Sequence, residues 1–335
     1  MTTACPTTIA RASRVAVILV HYDSSATLAG CLDSLAAQTR RPDRIVLVDN
    51  ASRDQAWRSI VERHAEVEVL ASPRNLGFAA ANNLAIERVA DCQYVALLNV
   101  DAFAEPEWLE RLLAALEQSP AHAFCGSELI SAGDTSRFDG TGDVYHVSGR
   151  CWRRDVGRSR VGAPRSKAPV LGPCAAAALY RRDALLAVGG FDERYFCYLE
   201  DVDLDFRLRL AGYRYLPLAE PLVRHVGCAS TGRHSDFSIY HGHRNLVWTY
   251  VKNMPGMLFW LYLPQHLLLN LVSLAMFIVL GRARPIVAAK LDALRGLGEV
   301  WKSRRSVQSL RVVSTREVRS WLSHGWATPY LRSRQ

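Results

Sequence analysis

Apolar residues in the first 120 positions follow two alternating periods. Residues 15–20, 44–49, 67–70 and 94–98 are short, nearly continuous apolar runs rich in valine and leucine, as expected of strands buried on both faces. Between them the apolar spacing lengthens to three and four. Residues 27–38 carry Leu28, Cys31, Leu32 and Leu35 on one helical face, and 53–64 and 77–90 also read as helix. A fourth helix opens at Pro106 and runs to about Gln118. Four strand–helix units in succession predict an α/β fold with a doubly wound, mostly parallel sheet.

The pattern weakens over residues 131–168, where glycine, arginine and serine accumulate. Loop and short strands are expected there, placed to act as a mobile lid. A short helix is expected over 181–188, stopped by Gly189-Gly190, and strand-like pieces over 213–226. Between them 200–210 reads as helix, yet Glu200, Asp201, Asp203 and Asp205 put four carboxylates into six positions. Like charges at that spacing repel. The cluster needs compensating cations, a metal ion or a proton held at raised pKa.

No Asp, Glu, Lys or Arg occurs from Asn253 to Gly281. Residues 256–280 are long enough to span a bilayer, but Pro264-Gln265-His266 and Asn270 interrupt them. Arg244 and Lys252 precede the stretch, and Arg282, Arg284, Lys290 and Arg295 follow it. Basic flanks on both sides oppose exporting either one. A re-entrant or interfacial hairpin broken at Pro264 is therefore expected, with a full span and a buried helix pair as alternatives. Beyond it, Trp301, Trp321 and Trp326 interleave with Lys302, Arg304, Arg305, Arg311, Arg316 and Arg319, which suits an anionic membrane surface.

Charge sharpens that reading. The net charge is +9, and the part after residue 280 holds twelve Lys+Arg against three Asp+Glu, so residues 1–280 are neutral. This points to a localised anionic contact and away from nucleic acid. The eight cysteines are widely spaced without a C-x-x-C, as in a reduced, cytosolic protein. Residues 1–14 are polar, and no secretory signal is expected.

Ligands of doubly wound sheets bind at the carboxyl ends of the strands. Those ends here carry His21-Tyr22-Asp23, Asp49-Asn50, Asn75 and Asn99-Val100-Asp101. No G-x-G-x-x-G follows any strand and no glycine-rich phosphate loop follows the first, which argues against a dinucleotide oxidoreductase and a nucleotidyltransferase.

Seven ordered segments over residues 14–250 together resemble family 2 glycosyltransferases, in particular their bacterial rhamnosyltransferase-like branch. They are Val17-Ile18-Leu19-Val20-His21-Tyr22-Asp23, Cys31-Leu32-Asp33-Ser34-Leu35 with Gln38, Val48-Asp49-Asn50-Ala51-Ser52, Asn75-Leu76-Gly77-Phe78-Ala79-Ala80-Ala81-Asn82, Leu97-Leu98-Asn99-Val100-Asp101, Val188-Gly189-Gly190-Phe191-Asp192-Glu193, and Glu200-Asp201-Val202-Asp203-Leu204 with Arg207, Arg209 and Gly212. Two positions depart from the family pattern: His21-Tyr22-Asp23 stands for a Thr-Tyr-Asn type opening, and Asn99 for the first Asp of a D-x-D motif. The resemblance implies a GT-A fold and inverting transfer of a sugar from a nucleotide-sugar donor, with dTDP-L-rhamnose favoured. The acceptor it implies is a hydroxyl of a saccharide or lipid-linked saccharide in cell-surface polysaccharide synthesis. It places Tyr22, Asp49, Asn75, Asn82, Asn99 and Asp101 at the nucleotide sugar, a divalent cation (Mg²⁺ or Mn²⁺) at Asp101 with His225, and the catalytic base at Asp201, with Glu200 as its alternative. Asp203 and Asp205 are expected to be structural, pairing with Arg207, Arg209 or backbone amides. The organisation expected is a tail over 1–13, a catalytic domain over 14–250 (nucleotide half 14–120, acceptor half 121–250) and a helical membrane-associating region over 251–335. That arrangement sets the enzyme on the cytoplasmic face of the cell membrane. A non-catalytic membrane-bound scaffold with a degenerate transferase domain is the alternative.

Overall fold

The computed structural model describes residues 13–227 and 235–331. Most of the expected polar tail and the last four residues lie outside them. The first half contains the four expected units: β1 (Val15–His21), α1 (Ser25–Ala36), β2 (Arg44–Asp49), α2 (Ala56–Val61), β3 (Val67–Ala71), α3 (Gly77–Arg88) and β4 (Tyr94–Leu98), followed by β5 (Ala102–Ala104) and α4 (Trp108–Gln118). α2 is shorter at both ends than the spacing suggests. The chain continues through β6 (His122–Ser131), β7 (Phe138–Gly140), β8 (Asp143–Tyr145), β9 (Cys151–Arg153), β10 (Ala177–Arg181), α5 (Arg182–Ala187), α6 (Glu200–Leu210) and β11 (Arg214–His225).

The main sheet runs β3-β2-β1-β4-β10-β6-β11-β5, with β7 beside β6. β3, β2, β1 and β4 are parallel, β10 enters antiparallel between β4 and β6, and β11 returns parallel to β6. Alternate residues of β1 go to opposite layers, as the pleat requires. Val15, Val17 and Leu19 pack with α1 and α4, whereas Ala16 and Ile18 pack with α3 and Leu204 and Leu208 of α6. This double burial is why β1 reads as a continuous apolar run. Within the stretch expected to hold loop, short strands and a lid, Phe138 to Ser148 is buried, and the short strands β8 and β9 pair into a hairpin against the site.

The C-terminal third is helical: α7 (Asp236–Asn253), α8 (Gly256–Val279), α9 (Ala283–Arg295), α10 (Leu297–Ser309), α11 (Thr315–Trp321) and α12 (Thr328–Leu331). The boundary expected after residue 250 falls inside α7. A third apolar cluster joins Tyr145 and Phe206 to Tyr250, Leu258, Val300 and Val318, so these helices share a core with β8 and α6.

The hairpin expected at Pro264 is not formed: α8 is one helix of 24 residues with Pro264 inside it. Leu258, Phe259, Tyr262, His266, Leu269, Ser273 and Phe277 form its buried stripe. The polar interruptions sit toward the protein. His266 stacks on Tyr250 at 3.9 Å between ring centres and its Nδ1 lies 2.8 Å from the Ser148 carbonyl oxygen, while Asn270 accepts from Lys290 at 2.5 Å. The opposite face is apolar and exposed, with Met257 81%, Leu271 64% and Val279 86% accessible. Of the aromatic and basic residues expected at a membrane, Trp301 and Trp326 are exposed, but Trp321 is buried beneath the Arg209 guanidinium. Arg304 is likewise structural, donating to the Val251 and Met254 carbonyls at 2.7 and 2.6 Å.

Candidate active site

The carboxyl ends of β1, β2 and β4, the entrance to α3, the β8–β9 hairpin and the N-terminus of α6 enclose a cavity of about 670 Å³. Its polar lining includes Tyr22, Asn50, Asn75, Asn99, Asp101, Asp143, Arg153, Glu200, Asp201 and His225. The structure therefore brings most of the expected residues together. Two do not reach the cavity. Asp49 lies behind its wall, with Oδ1 3.3 Å from His21 Nδ1 and accepting the Ser52 amide at 3.3 Å. Asn82 is buried in α3 and donates to the Phe78 carbonyl one turn back at 2.8 Å. Neighbouring Asn50 takes the place at the lining that the sequence assigned to Asp49. Its amide donates to Asn75 Oδ1 at 2.9 Å and its Oδ1 accepts the Leu76 amide at 2.7 Å, which fixes the loop into α3.

Strand pairing assembles the second group. His225 ends β11 opposite Ala102, and the Val226 amide donates to the Asp101 carbonyl at 3.0 Å. His225 Nε2 lies 3.2 Å from Asp101 Oδ1 in an ion-pair contact and has no hydrogen-bond partner. His225 Nδ1 lies 2.7 Å from Asp139 Oδ2. With the proton on Nδ1, Asp139 accepts it and leaves the Nε2 lone pair beside Asp101, the arrangement that metal-binding histidines use. Burial opposes charge on His225, but contacts with Asp101 and Asp139 outweigh it and raise its pKa. Burial would raise that of Asp101, but His225 outweighs it and the net shift is down. The Asp101 oxygen, the Asn99 position and the His225 Nε2 fit a hard divalent cation. Arg153, from β9, donates to Asp139 at 2.5 Å and supplies a guanidinium to the same lining.

The third group is delivered by a strained turn. Phe196, Tyr198 and Leu199 have φ of 65°, 70° and 65°, left-handed values that side chains rarely adopt. The Phe196 carbonyl accepts the Phe78 amide at the entrance of α3 at 2.6 Å, and a Cβ on Gly77 would sit 2.5 Å from that oxygen. Asn245 of α7 donates to the carbonyls of Tyr195, Cys197 and Tyr198 at 3.0, 2.9 and 2.7 Å. The held turn aims the start of α6 into the cavity.

The four carboxylates of α6 then separate by environment. Asp201 Oδ1 accepts the Val202 amide at 2.8 Å and Oδ2 the Ala175 amide at 3.3 Å. Glu200 is buried with Oε2 unpartnered, and burial, then the Asp201 charge, pushes its pKa well up. Asp203 is structural: it meets Lys252 Nζ at 2.7 Å, Arg207 Nε at 2.8 Å and Asn253 at 2.8 Å. Asp205 is enclosed beside Tyr180, and a Cβ on Gly172 would come within 2.0 Å of its Oδ2.

Asp139, Asp143 and Arg153 were not found from the sequence. Asp143 is buried, and burial together with the Asp201 charge moves its pKa to about 7. One donor atom each of Asp143, Cys174 and Asp201 lies within 4.8 Å of the others. Cys174 brings a soft sulfur to this second group, which suits a hard cation less than the oxygen of Asp101 does. The signal available was slight: Asp139-Gly140-Thr141-Gly142-Asp143 places two carboxylates around small residues in an otherwise irregular stretch.

The profile of glycosyl transferase family 2 matches residues 16–189. The chain belongs to this family. It is 33% identical over 240 residues to the N-acetylglucosaminyl-diphospho-decaprenol L-rhamnosyltransferase of Mycobacterium tuberculosis, covering 65% of this chain and 77% of the relative. It is also 25% identical over 214 residues to the amylovoran biosynthesis glycosyltransferase AmsE of Erwinia amylovora, covering 63% and 74% of the two chains. Among solved structures, the mannosyltransferase PcManGT of Pyrobaculum calidifontis, in complex with GDP-Man and Mn²⁺, is similar at a TM-score of 0.53 and 17% identity, covering 96% of this chain and 88% of that one. GalNAc-T7, solved with UDP, GalNAc and Mn²⁺, gives a TM-score of 0.58 at 14% identity, covering 76% and 49%. The likeness establishes the GT-A fold for this family 2 glycosyltransferase.

Proposed function

We propose that this glycosyltransferase moves L-rhamnose, with inversion, from dTDP-L-rhamnose to a hydroxyl of a lipid-linked N-acetylglucosamine-containing saccharide in cell-surface polysaccharide synthesis. The observation that carries the catalytic part is the separation of Asp201 from its neighbours. Burial pushes the Glu200 pKa well up, while Asp201 lines the cavity and its two oxygens accept the Val202 and Ala175 amides. Asp201 accepts the proton of the acceptor hydroxyl as that oxygen attacks the anomeric carbon. The carbon–oxygen bond to the diphosphate breaks on the opposite face, and the negative charge collects on the departing phosphate. Asp101 and Asp201 put carboxylates on the lining, which is unfavourable for a diphosphate unless cations offset them. Asp101 and His225 would hold a divalent cation, which neutralises charge on phosphate oxygens when bound. Arg153 supplies a permanent positive charge alongside, and Tyr22, Asn50 and Asn75 line the side that takes the nucleoside.

The exposed face of α8, with Trp301, Trp326 and basic residues including Lys302, Arg305 and Arg316, supports a monotopic or peripheral position on the cytoplasmic face of the membrane, where lipid-linked acceptors reside. The test is transfer from a panel of nucleotide sugars to a lipid-diphosphate-linked N-acetylglucosamine, with Mn²⁺ or Mg²⁺. Rhamnose transfer is expected, and Asp201→Asn should lower kcat at least a hundredfold while the donor still shifts the melting temperature. Full activity in Asp201→Asn would remove the proposed base.

A further inference from the structure

A second cavity, of about 630 Å³, opens between α7 and α8. Ile239, Gly242 and Leu246 of α7 face Leu269, Met276 and Phe277 of α8 across it. Cys151, Tyr198 and Leu199 line this cavity and the catalytic one alike, so the two share a wall at these residues. Arg150, next to Cys151 in the chain, lines the second cavity. Its guanidinium donates to the Pro329 carbonyl at 2.5 Å, and among the described residues no carboxylate neutralises it. Farther along, the wall includes Met276 and Leu280, which are 40% and 63% exposed and belong to the outward apolar face of α8. The cavity thus has a wall shared with the catalytic site, a cation beside the shared Cys151 in the chain and an opening toward the apolar face of α8.

We infer that this groove receives the apolar chain of the lipid-linked acceptor, with Arg150 on the phosphate or diphosphate that joins chain to sugar. The inference rests on the acceptor reading above and gives it a location. An acceptor must present a hydroxyl near Asp201, an anion one sugar away and a long hydrocarbon beyond. The two cavities provide for each of those parts. The nucleotide donor does not fit this groove, since its own lining side lies at β1, β2 and α3. A two-chain membrane phospholipid shares the charge and the hydrocarbon but has no reason to enter through the catalytic side.

Gly242 allows the groove to be filled without strain, because a Cβ there meets nothing within 4 Å. Two acceptors with the same N-acetylglucosaminyl diphosphate are compared in detergent with the full chain, one on a long isoprenoid and one on a short alkyl group. Gly242→Trp is expected to raise the ratio of the long-chain KM to the short-chain KM at least tenfold. Met276→Asp should move it in the same direction. Arg150→Gln should raise KM for both diphosphates at least fivefold, but not for a phosphate-free glycoside of the same sugar. The groove assignment is overturned if both wall variants, with wild-type melting temperatures, keep the wild-type ratio. It is also overturned if Arg150→Gln affects the phosphate-free acceptor equally, or if acceptor-free phospholipid vesicles inhibit as strongly as the isoprenoid diphosphate. A wild-type chain that transfers to neither acceptor, while still binding donor, would instead overturn the acceptor reading itself.

Discussion

The side-chain amide of Asn245 is shared among three carbonyls of the turn that enters α6. Each of the three left-handed residues in that turn costs on the order of 1 kcal/mol, and the turn persists because its carbonyls are held. Asn245→Ala removes the donor from the Cys197 and Tyr198 carbonyls, while the Tyr195 carbonyl keeps the Arg244 guanidinium at 2.9 Å. We expect a loss of about 2–4 kcal/mol in denaturant unfolding, and a fall in kcat of at least tenfold as Asp201 loses its fixed position. A variant with wild-type kcat would show that the turn holds itself. At this scale the sequence was informative about identity and less so about environment. Tyr22, Asn75, Asn99, Asp101, Glu200, Asp201 and His225 all line the cavity. Asp49 and Asn82 do not: the end of β2 turns Asp49 onto His21 and Ser52 and leaves Asn50 at the lining, and Asn82 lies in the middle of α3 with its amide spent on the Phe78 carbonyl. Asn245 carried no signal, since its partners lie about fifty positions away.

Between α6 and α7 the tie is ionic. Lys252 is fully enclosed, meeting Asp203 at 2.7 Å and Asp192 at 2.6 Å, while Arg207 holds the other side of Asp203. Burial alone would raise the pKa of Asp203, but Lys252, then Arg207, outweighs it and the net direction is down. A buried pair of this kind adds little over an apolar contact, but removing one partner strands the other. Lys252→Met is expected to cost about 3–5 kcal/mol. Combined with Asp203→Asn, the loss should be smaller than the sum of the two single losses by at least ~1 kcal/mol, measured as a double-mutant cycle. Additive losses would mean that the two groups act separately. This answers the sequence puzzle of the carboxylate cluster, because the compensating cation of Asp203 comes from a helix that composition marks only as the edge of an uncharged stretch.

Across the whole molecule, the C-terminal helices are joined to the catalytic layers through neutral imidazoles. His146 and His266 are buried, and desolvation lowers both to about 4. The unfolded chain takes up their protons near the ordinary value of about 6.5, so their contribution to stability is complete above that pH. It is lost as the pH falls from about 6.5 to 4, by roughly 2–3 kcal/mol for each group. Melting temperature should therefore drop steeply over that interval, and His266→Gln should flatten part of the drop; an unchanged profile in the variant would exclude His266 as a source. The four strand–helix units were legible because strands buried on both faces leave long apolar runs, and α6 was legible through its glycine stop. The antiparallel entry of β10 was not, since its partners in β6 and β4 lie about fifty and eighty positions back in the chain, and over 131–168 short strands were expected but not the pairing of β8 with β9. The 24-residue length of α8 was visible, but its single unbroken course was not. Pro264 and the polar residues beside it look like interruptions until His266 and Asn270 are seen to face the protein.

The outward face of α8 also bears on how rates should be measured. A catalyst resting on a lipid surface, with its acceptor confined to the same surface, meets that acceptor by lateral diffusion in two dimensions. The governing quantity is then the mole fraction of acceptor in the film, not its molarity in the tube. Adding inert lipid or detergent at constant total acceptor would slow turnover by surface dilution alone, while the soluble donor would continue to obey its bulk concentration.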